Sequence, residues 1–331
     1  MNIKSIANAL FLSFLTCSIS SSQEQIASKD GRVPASNLPT QLQEIMWWIP
    51  TDTETLIVDQ KPTVYLSRGA DEPEQLTLIG MLESYYNLPL ARRLGGKKII
   101  LQVDAGRRFR TPTHLGLMPC ECVLITVFRE NISDDFKLLS ADSGWQNQTF
   151  MDKRILYFKK QIEDHVWEFS LSLPQPNIMV ISTHRPYLED LLKRVDKRVG
   201  GRAFPEYLPE WKYLDVTART WGLRHFSNKN DRSDPTSPRS GLTGWRIEDS
   251  DGAGLVFYMS ADSPETTIIY VTDNRSLKDE IKRYFKDIDI SVKVNATKPA
   301  SYHIVIPNKV PDQTPLLTMR LAFLLGHGVC L

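Results

Sequence analysis

The chain has 331 residues, of which 41% are hydrophobic, 9% aromatic and 24% charged, with 17 Gly and 20 Pro. That mixture belongs to a folded globular protein and excludes collagen, extended disorder and a polytopic membrane protein. A formal net charge of +1 gives no overall field toward nucleic acid or anionic lipid, and the length suits one large domain or two modest ones.

The N-terminus carries Lys4, an apolar run from Ile6 to Leu15, and a small polar stretch from Thr16 to Ser22. This pattern predicts a secretory signal peptide over 1–22, because about ten apolar residues fall short of the roughly 20 that span a bilayer. Cleavage removes one lysine, no acid and Cys17. The mature chain is then formally neutral, lacks a transmembrane segment and keeps Cys120, Cys122 and Cys330. So few cysteines, odd in number, argue against a disulfide framework as the organising principle. The expected location is periplasmic or secreted. Residues 23–40, rich in Ser, Gln, Lys and Asp, read as a flexible leader, with order beginning near Leu42. Trp47 and Trp48 stand before Pro50 and are read as packing at a strand entrance, with sugar stacking as the other option.

From Glu74 to Leu94 the positions Leu78, Met81, Leu82, Tyr85 and Leu88 keep helical spacing, Gly95-Gly96 supplies a stop, and a strand is expected over Lys98 to Val103. From Arg92 to Arg110 the cations Arg92, Arg93, Lys97, Lys98, Arg107, Arg108 and Arg110 stand against only Asp104. Arginines gathered in this way can receive a phosphate or carboxylate through bidentate forks, so Arg92, Arg93, Arg107, Arg108 and Arg110 are the anion-binding candidates. The plainer reading is a solvated face.

Cys120 and Cys122 share one side of a strand about 6.7 Å apart, at the outer limit for a disulfide Cα pair. With His327 and Cys330, and with His114 as a further ligand, they are the metal candidates, offering soft donors for zinc or copper. The alternative is cysteines packed as small apolar groups with a surface thiol at the terminus. No cofactor is expected. The chain has no Gly-x-Ser-x-Gly, His-Glu-x-x-His, Cys-x-x-Cys or Gly-rich phosphate loop.

An internal repeat organises the rest. Ile178 to Arg185 aligns without a gap on Ile268 to Arg275, and both read as a buried strand entering a helix, with Thr183 and Asp273 as N-caps. The apolar faces Leu188, Leu191, Leu192, Val195 and Leu277, Ile281, Tyr284, Phe285 follow. Upstream strands correspond in order: Trp167 to Leu173 with Leu255 to Met259, Ile155 to Lys160 with Gly244 to Ile247, and Val123 to Phe128 with Tyr213 to Phe226. The expected fold is α+β, with two related units of about four mostly antiparallel strands packed by helices. They cover 41–203 and 204–331, joined through Gly200-Gly201, Pro205 and Pro209.

In the second unit His225 precedes a polar insertion, Ser227 to Thr243. The histidine can serve as a base for a loop serine, or sit on the strand face shared with Trp221 and Leu223 as a packed or edge residue. Asp249 to Gly252 reads as a hairpin turn, and Pro315 to Leu325 as a buried closing helix. The function expected is an exported, non-enzymatic binding or interaction protein with an envelope or extracellular ligand and no nucleic-acid partner. A metal-dependent or Ser/His hydrolase is the alternative.

Overall fold

The computed structural model describes residues 38–60, 94, 97–108, 120–141, 144–162, 165–182, 184–197, 200–225, 254–259, 265–271, 293–297 and 301–307. Beyond residue 253, side chains are described only for Thr267, Ile268 and Ile269. The signal peptide, most of the leader, the insertion, the Asp249 turn, the helix after Ile268 and the C-terminal helix therefore lie outside the described residues. So does the helix expected over Glu74 to Leu94, apart from Leu94 itself.

Among the described residues twelve strands build one sheet: β1 (Thr55–Asp59), β2 (Ile99–Arg108), β3 (Cys120–Phe128), β4 (Gln146–Phe150), β5 (Lys153–Ile162), β6 (His165–Gln175), β7 (Ile178–Ser182), β8 (Thr220–His225), β9 (Gly254–Met259), β10 (Glu265–Val271), β11 (Lys293–Thr297) and β12 (Ser301–Pro307). Their spatial order is β11-β12-β10-β9-β8-β1-β2-β3-β7-β6-β5-β4, and every neighbouring pair is antiparallel. The described α-helices are α1 (Thr40–Trp48), α2 (Ser133–Ala141) and α3 (Arg185–Val195), and a 3-10 turn covers Pro209–Tyr213.

Strand alternation sorts the side chains into two cores. On one face, Leu56 and Val58 of β1, Leu101, Val103 and Ala105 of β2, Val123, Ile125 and Val127 of β3, and Trp221 and Leu223 of β8 pack with residues of α1, α3 and the segment from Ala203 to Val216. On the other, Leu156, Phe158, Phe169, Leu171, Met179 and Ile181 pack against Phe136 and Leu139 of α2. β7 is buried at all its positions because Ile178 and Val180 face the first core while Met179 and Ile181 face the second. A strand covered on both sides reads as a continuous apolar run, which is how the sequence presents it.

The α+β architecture is as expected, but two separate units are not shown. The stretch taken as a joint is built into the first core, where Phe204 is wholly buried and Leu208 and Trp211 nearly so. Arg194 fastens it, donating to the Gly201 carbonyl at 2.5 Å and to the Trp47 carbonyl at 3.1 Å. Gly200 turns the chain at φ +79° beside that guanidinium. The repeated segments are both strands, with β6-β7 and β9-β10 as matching hairpins, yet β7 has β3 as its second neighbour and β10 has β12.

Four local expectations are corrected. Packing starts at Leu38, a core residue, and α1 begins at Thr40, so the leader ends earlier than residue 40. Trp48 is a buried residue of the last turn of α1 and not the entrance to a strand. The N-cap of α3 is His184, without a side-chain cap, in place of Thr183; its amide is taken instead by Ser182 Oγ at 3.1 Å. Of the described part of the strand expected from Tyr213 to Phe226, Thr220–His225 forms, while Pro209 starts a 3-10 turn that takes in Tyr213 and that Leu214 closes by donating to the Trp211 carbonyl.

The β4-β5 hairpin turns through Met151 and Asp152, both at positive φ (48° and 63°). Two central residues at positive φ define the turn type that favours Asn-Gly, since a Cβ is disfavoured there. Replacing the pair, Met151→Asn with Asp152→Gly, is expected to stabilise the fold by about 1 kcal/mol, read as a higher urea midpoint at unchanged m-value.

Candidate functional site

The antiparallel register lines up ionisable groups across one end of the sheet, all on the α3 face. Thr55 pairs with both Gly106 and Arg224, so Glu54 stands between Arg107 and His225. The backbone confirms the row, since Glu54 donates to the Gly106 carbonyl and His225 to the Glu54 carbonyl, each at 2.9 Å. On the other side Arg107 pairs with Glu121. Val123 pairs with Ser182, so His184 continues the line past Glu121. The row therefore runs His184, Glu121, Arg107, Glu54, His225.

Arg107 is its centre and is only 5% exposed. Its Nε donates to Glu121 Oε2 at 2.6 Å, and Nη1 reaches both oxygens of Asp52 at 3.0 and 2.9 Å. Asp190 Oδ2 accepts from Nη1 and Nη2 at 3.3 Å. The guanidinium also lies over the Tyr187 ring, 4.6 Å from its centroid, and Tyr187 OH is 2.6 Å from Thr53 Oγ1. Burial opposes the charge on Arg107, but its hydrogen bond to Glu121 and the charges of Asp52 and Glu121 outweigh that and raise its pKa. One side chain of β2 thus ties β3, α3 and the turn between α1 and β1.

His184 sits 3.4 Å from Glu121 Oε2. Burial lowers its pKa, Arg107 adding to the effect and Glu121 opposing it. At the far end, His225 Nδ1 is 2.7 Å from Glu210 Oε1, with Glu210 fully buried and His225 23% exposed. A carboxylate on Nδ1 orients an imidazole and leaves Nε2 free to act.

Two candidates from separate parts of the sequence, Arg107 and His225, therefore share one row, two strands or about 10 Å apart. Their partners Glu121 and Glu210 escaped sequence reading. The expectation of Arg107 as part of an open anion patch is corrected, because its fork is filled by the protein's own carboxylates. Arg92, Arg93 and Arg110 lie outside the described residues, and only the backbone of Arg108 is described.

The metal candidates fare differently. Cys122 is disulfide-bonded, so it has no thiolate to offer a metal. His114, His327 and Cys330 lie outside the described residues, as does the side chain of Cys120. Among the described residues no three His, Cys, Asp or Glu side chains gather to hold a metal ion.

On the opposite face the central strands carry polar groups. Asp104 pairs with Ile57 and Leu124, and its Oδ1 is sealed from solvent without a hydrogen-bond partner, as is Oγ1 of Thr126. Burial alone pushes the Asp104 carboxyl up to about 7.

Removing the guanidinium in Arg107→Ala strands Glu121 in the interior and is expected to cost about 3–5 kcal/mol in denaturant unfolding. The double variant Arg107→Met with Glu121→Leu recovers most of the loss, since an apolar pair replaces a buried ion pair at little cost. For Asp104 the unfolded chain releases its proton near pH 4 and the folded chain near pH 7. Between those values the folded state binds more protons, so stability falls as pH rises. Asp104→Asn is expected to match the parent near pH 4 and to exceed it by about 4 kcal/mol at pH 8, measured by unfolding at both pH values.

No family model matches the chain, and neither does any curated protein. Among solved structures, crystal form III of TP0453 is similar at 10% identity, covering 80% of this chain and 94% of that one with a TM-score of 0.41. Crystal form I of the same protein gives 10% identity, 83% and 95% coverage and a TM-score of 0.41. A likeness of that degree reaches no further than a general run of strands and helices, and no function is carried across.

Proposed function

We propose that the chain is an exported protein that acts by binding an envelope or extracellular ligand, with no reaction of its own. The observation that carries this reading is the inward engagement of the row: Arg107 is held by Glu121, Asp52 and Asp190, and His225 by Glu210. Export is supported by the leader and by the disulfide at Cys122, a bond that persists in oxidising compartments. The surfaces left for a ligand are the polar insertion Ser227 to Thr243 and the arginines other than Arg107.

An anionic surface suits those arginines. Sedimentation with phosphatidylglycerol vesicles tests this. Changing Arg92, Arg93, Arg108 and Arg110 to Glu while keeping Arg107 is expected to weaken binding at least about tenfold, and unchanged sedimentation removes the patch from the reading.

The 2.7 Å contact between His225 and Glu210 favours a second reading, a serine hydrolase with His225 as base. A fluorophosphonate probe separates the two. The binding reading predicts no covalent labelling of the mature protein. Stoichiometric labelling that is lost in His225→Gln replaces it with the hydrolase.

A further inference from the structure

His184 stands where β7 passes into α3, and the charged row continues beyond it. Ser170 pairs with Ser182, so Glu168 of β6 lies level with His184, and Lys159 of β5 pairs with Glu168. Three carboxylates act on the imidazole: Glu121 from β3, Glu168 from β6 and Asp190 from α3. Each already holds a permanent cation. Glu121 Oε2, 3.4 Å from His184 Nδ1, accepts from Arg107 Nε at 2.6 Å. Glu168 Oε1 is 2.6 Å from Lys159 Nζ, and Asp190 holds Arg107 at 3.3 Å and Lys193 at 3.1 Å. Arg185, the next residue, donates to Glu189 and Gln148. His184 is also the N-cap of α3. Its carbonyl accepts from the amides of Tyr187 at 3.1 Å and Leu188 at 3.3 Å, and from Ser182 Oγ at 2.9 Å.

We propose that this corner is an acid-operated latch, in which a proton on His184 loosens the first turn of α3 from the Arg107 cluster. An imidazolium there stands at the positive end of a helix, close to Arg107, and competes with that guanidinium for one buried oxygen. Arg107 keeps its proton at any working pH, so the conflict is relieved by the imidazole, 26% exposed, turning out into water. The same residue supplies the carbonyl that closes the first turn, so the movement weakens the bonds from Tyr187 and Leu188. Tyr187 in turn carries the ring that lies against Arg107. Burial, with Arg107 adding to it, holds the imidazole below its ordinary 6.5 against the pull of Glu121, Glu168 and Asp190. As pH falls, the opened turn therefore takes up the proton before the closed one. The latch is at full strength above about pH 6.5 and weakens below it.

Amide hydrogen exchange of the whole protein, corrected for intrinsic rates, reads the latch at Tyr187 and Leu188. From about pH 7.5 to about pH 5 their protection is expected to fall about tenfold in the parent and to stay level in His184→Gln. Asp104 cannot produce that loss, because acid favours its folded, protonated form. The other histidine of the row is checked with His225→Gln, which is expected to respond as the parent does. Level protection in the parent, an equal loss in His184→Gln, or a loss abolished by His225→Gln overturns the proposal. Should His184→Gln fail to fold, an NMR titration of the parent's imidazoles decides. A His184 midpoint below about 6.5, with exchange at Tyr187 and Leu188 rising as it titrates, supports the latch; a midpoint at or above that value, or exchange that does not follow it, overturns it.

Discussion

A permanent positive charge in the interior is tolerable only if enough negative charge surrounds it, and that requirement governs one end of this molecule. Arg107 cannot shed its proton, so β2 can carry it on the core face only with Glu121, Asp52 and Asp190 in place. Those three come from the neighbouring strand, the turn leaving α1 and the face of α3. Satisfying the guanidinium therefore sets the approach of both helices to the sheet. The Tyr187 ring beneath it and the Thr53 hydroxyl beyond extend the same constraint into the segment that starts β1.

The row through Arg107 is a product of register. Four of its five members continue their strand's apolar, core-facing series at the same end: Val123 leads back to Glu121, Ala105 on to Arg107, Leu56 back to Glu54 and Leu223 on to His225, while His184 follows β7 as the N-cap of α3. α3 closes over the apolar part of these series and over Arg107 and Glu121 as well, which are 5% and 2% exposed, while His184 and His225 at the two ends of the row are partly exposed. A slip of one residue at any strand would send a charged group to the opposite face, so the row also records that the pairing is correct. This explains how groups with catalytic capacity can be engaged structurally, and why His225, at the outer end with Glu210 behind it, is the member best placed to be more than that.

Legibility in the sequence followed how local each signal was. The alternation Trp167 to Leu173 and the apolar run Ile178 to Ile181 lead directly to β6 and β7, and the spacing Leu188, Leu191, Leu192 leads to α3, because each pattern completes itself within a dozen residues. β1 went unread: Thr55 to Asp59 is five residues long with no turn signal strong enough to frame it, although it is the centre of the sheet. Trp47 and Trp48 ahead of Pro50 suggested an entrance to a strand, while burial of Leu42, Ile45 and Met46 on one helical side was the better clue. At the site, Arg107 was grouped with arginines near it in the chain, and Glu121 was overlooked between two cysteines. Counting charges along the chain cannot find a pair made across a register, and nothing local ties Glu210, in a short turn, to a histidine fifteen positions later.

The placement of β1 bears on how the molecule is made. Its five residues leave the ribosome early, yet one of its two partners, β8, lies more than 160 positions later, with Thr55 opposite Arg224. Until that stretch is synthesised, the middle of the sheet has an open side, and the neighbours from β2 to β7 can assemble only as an unfinished half. Distant pairings of this kind slow folding and leave backbone edges exposed in the meantime.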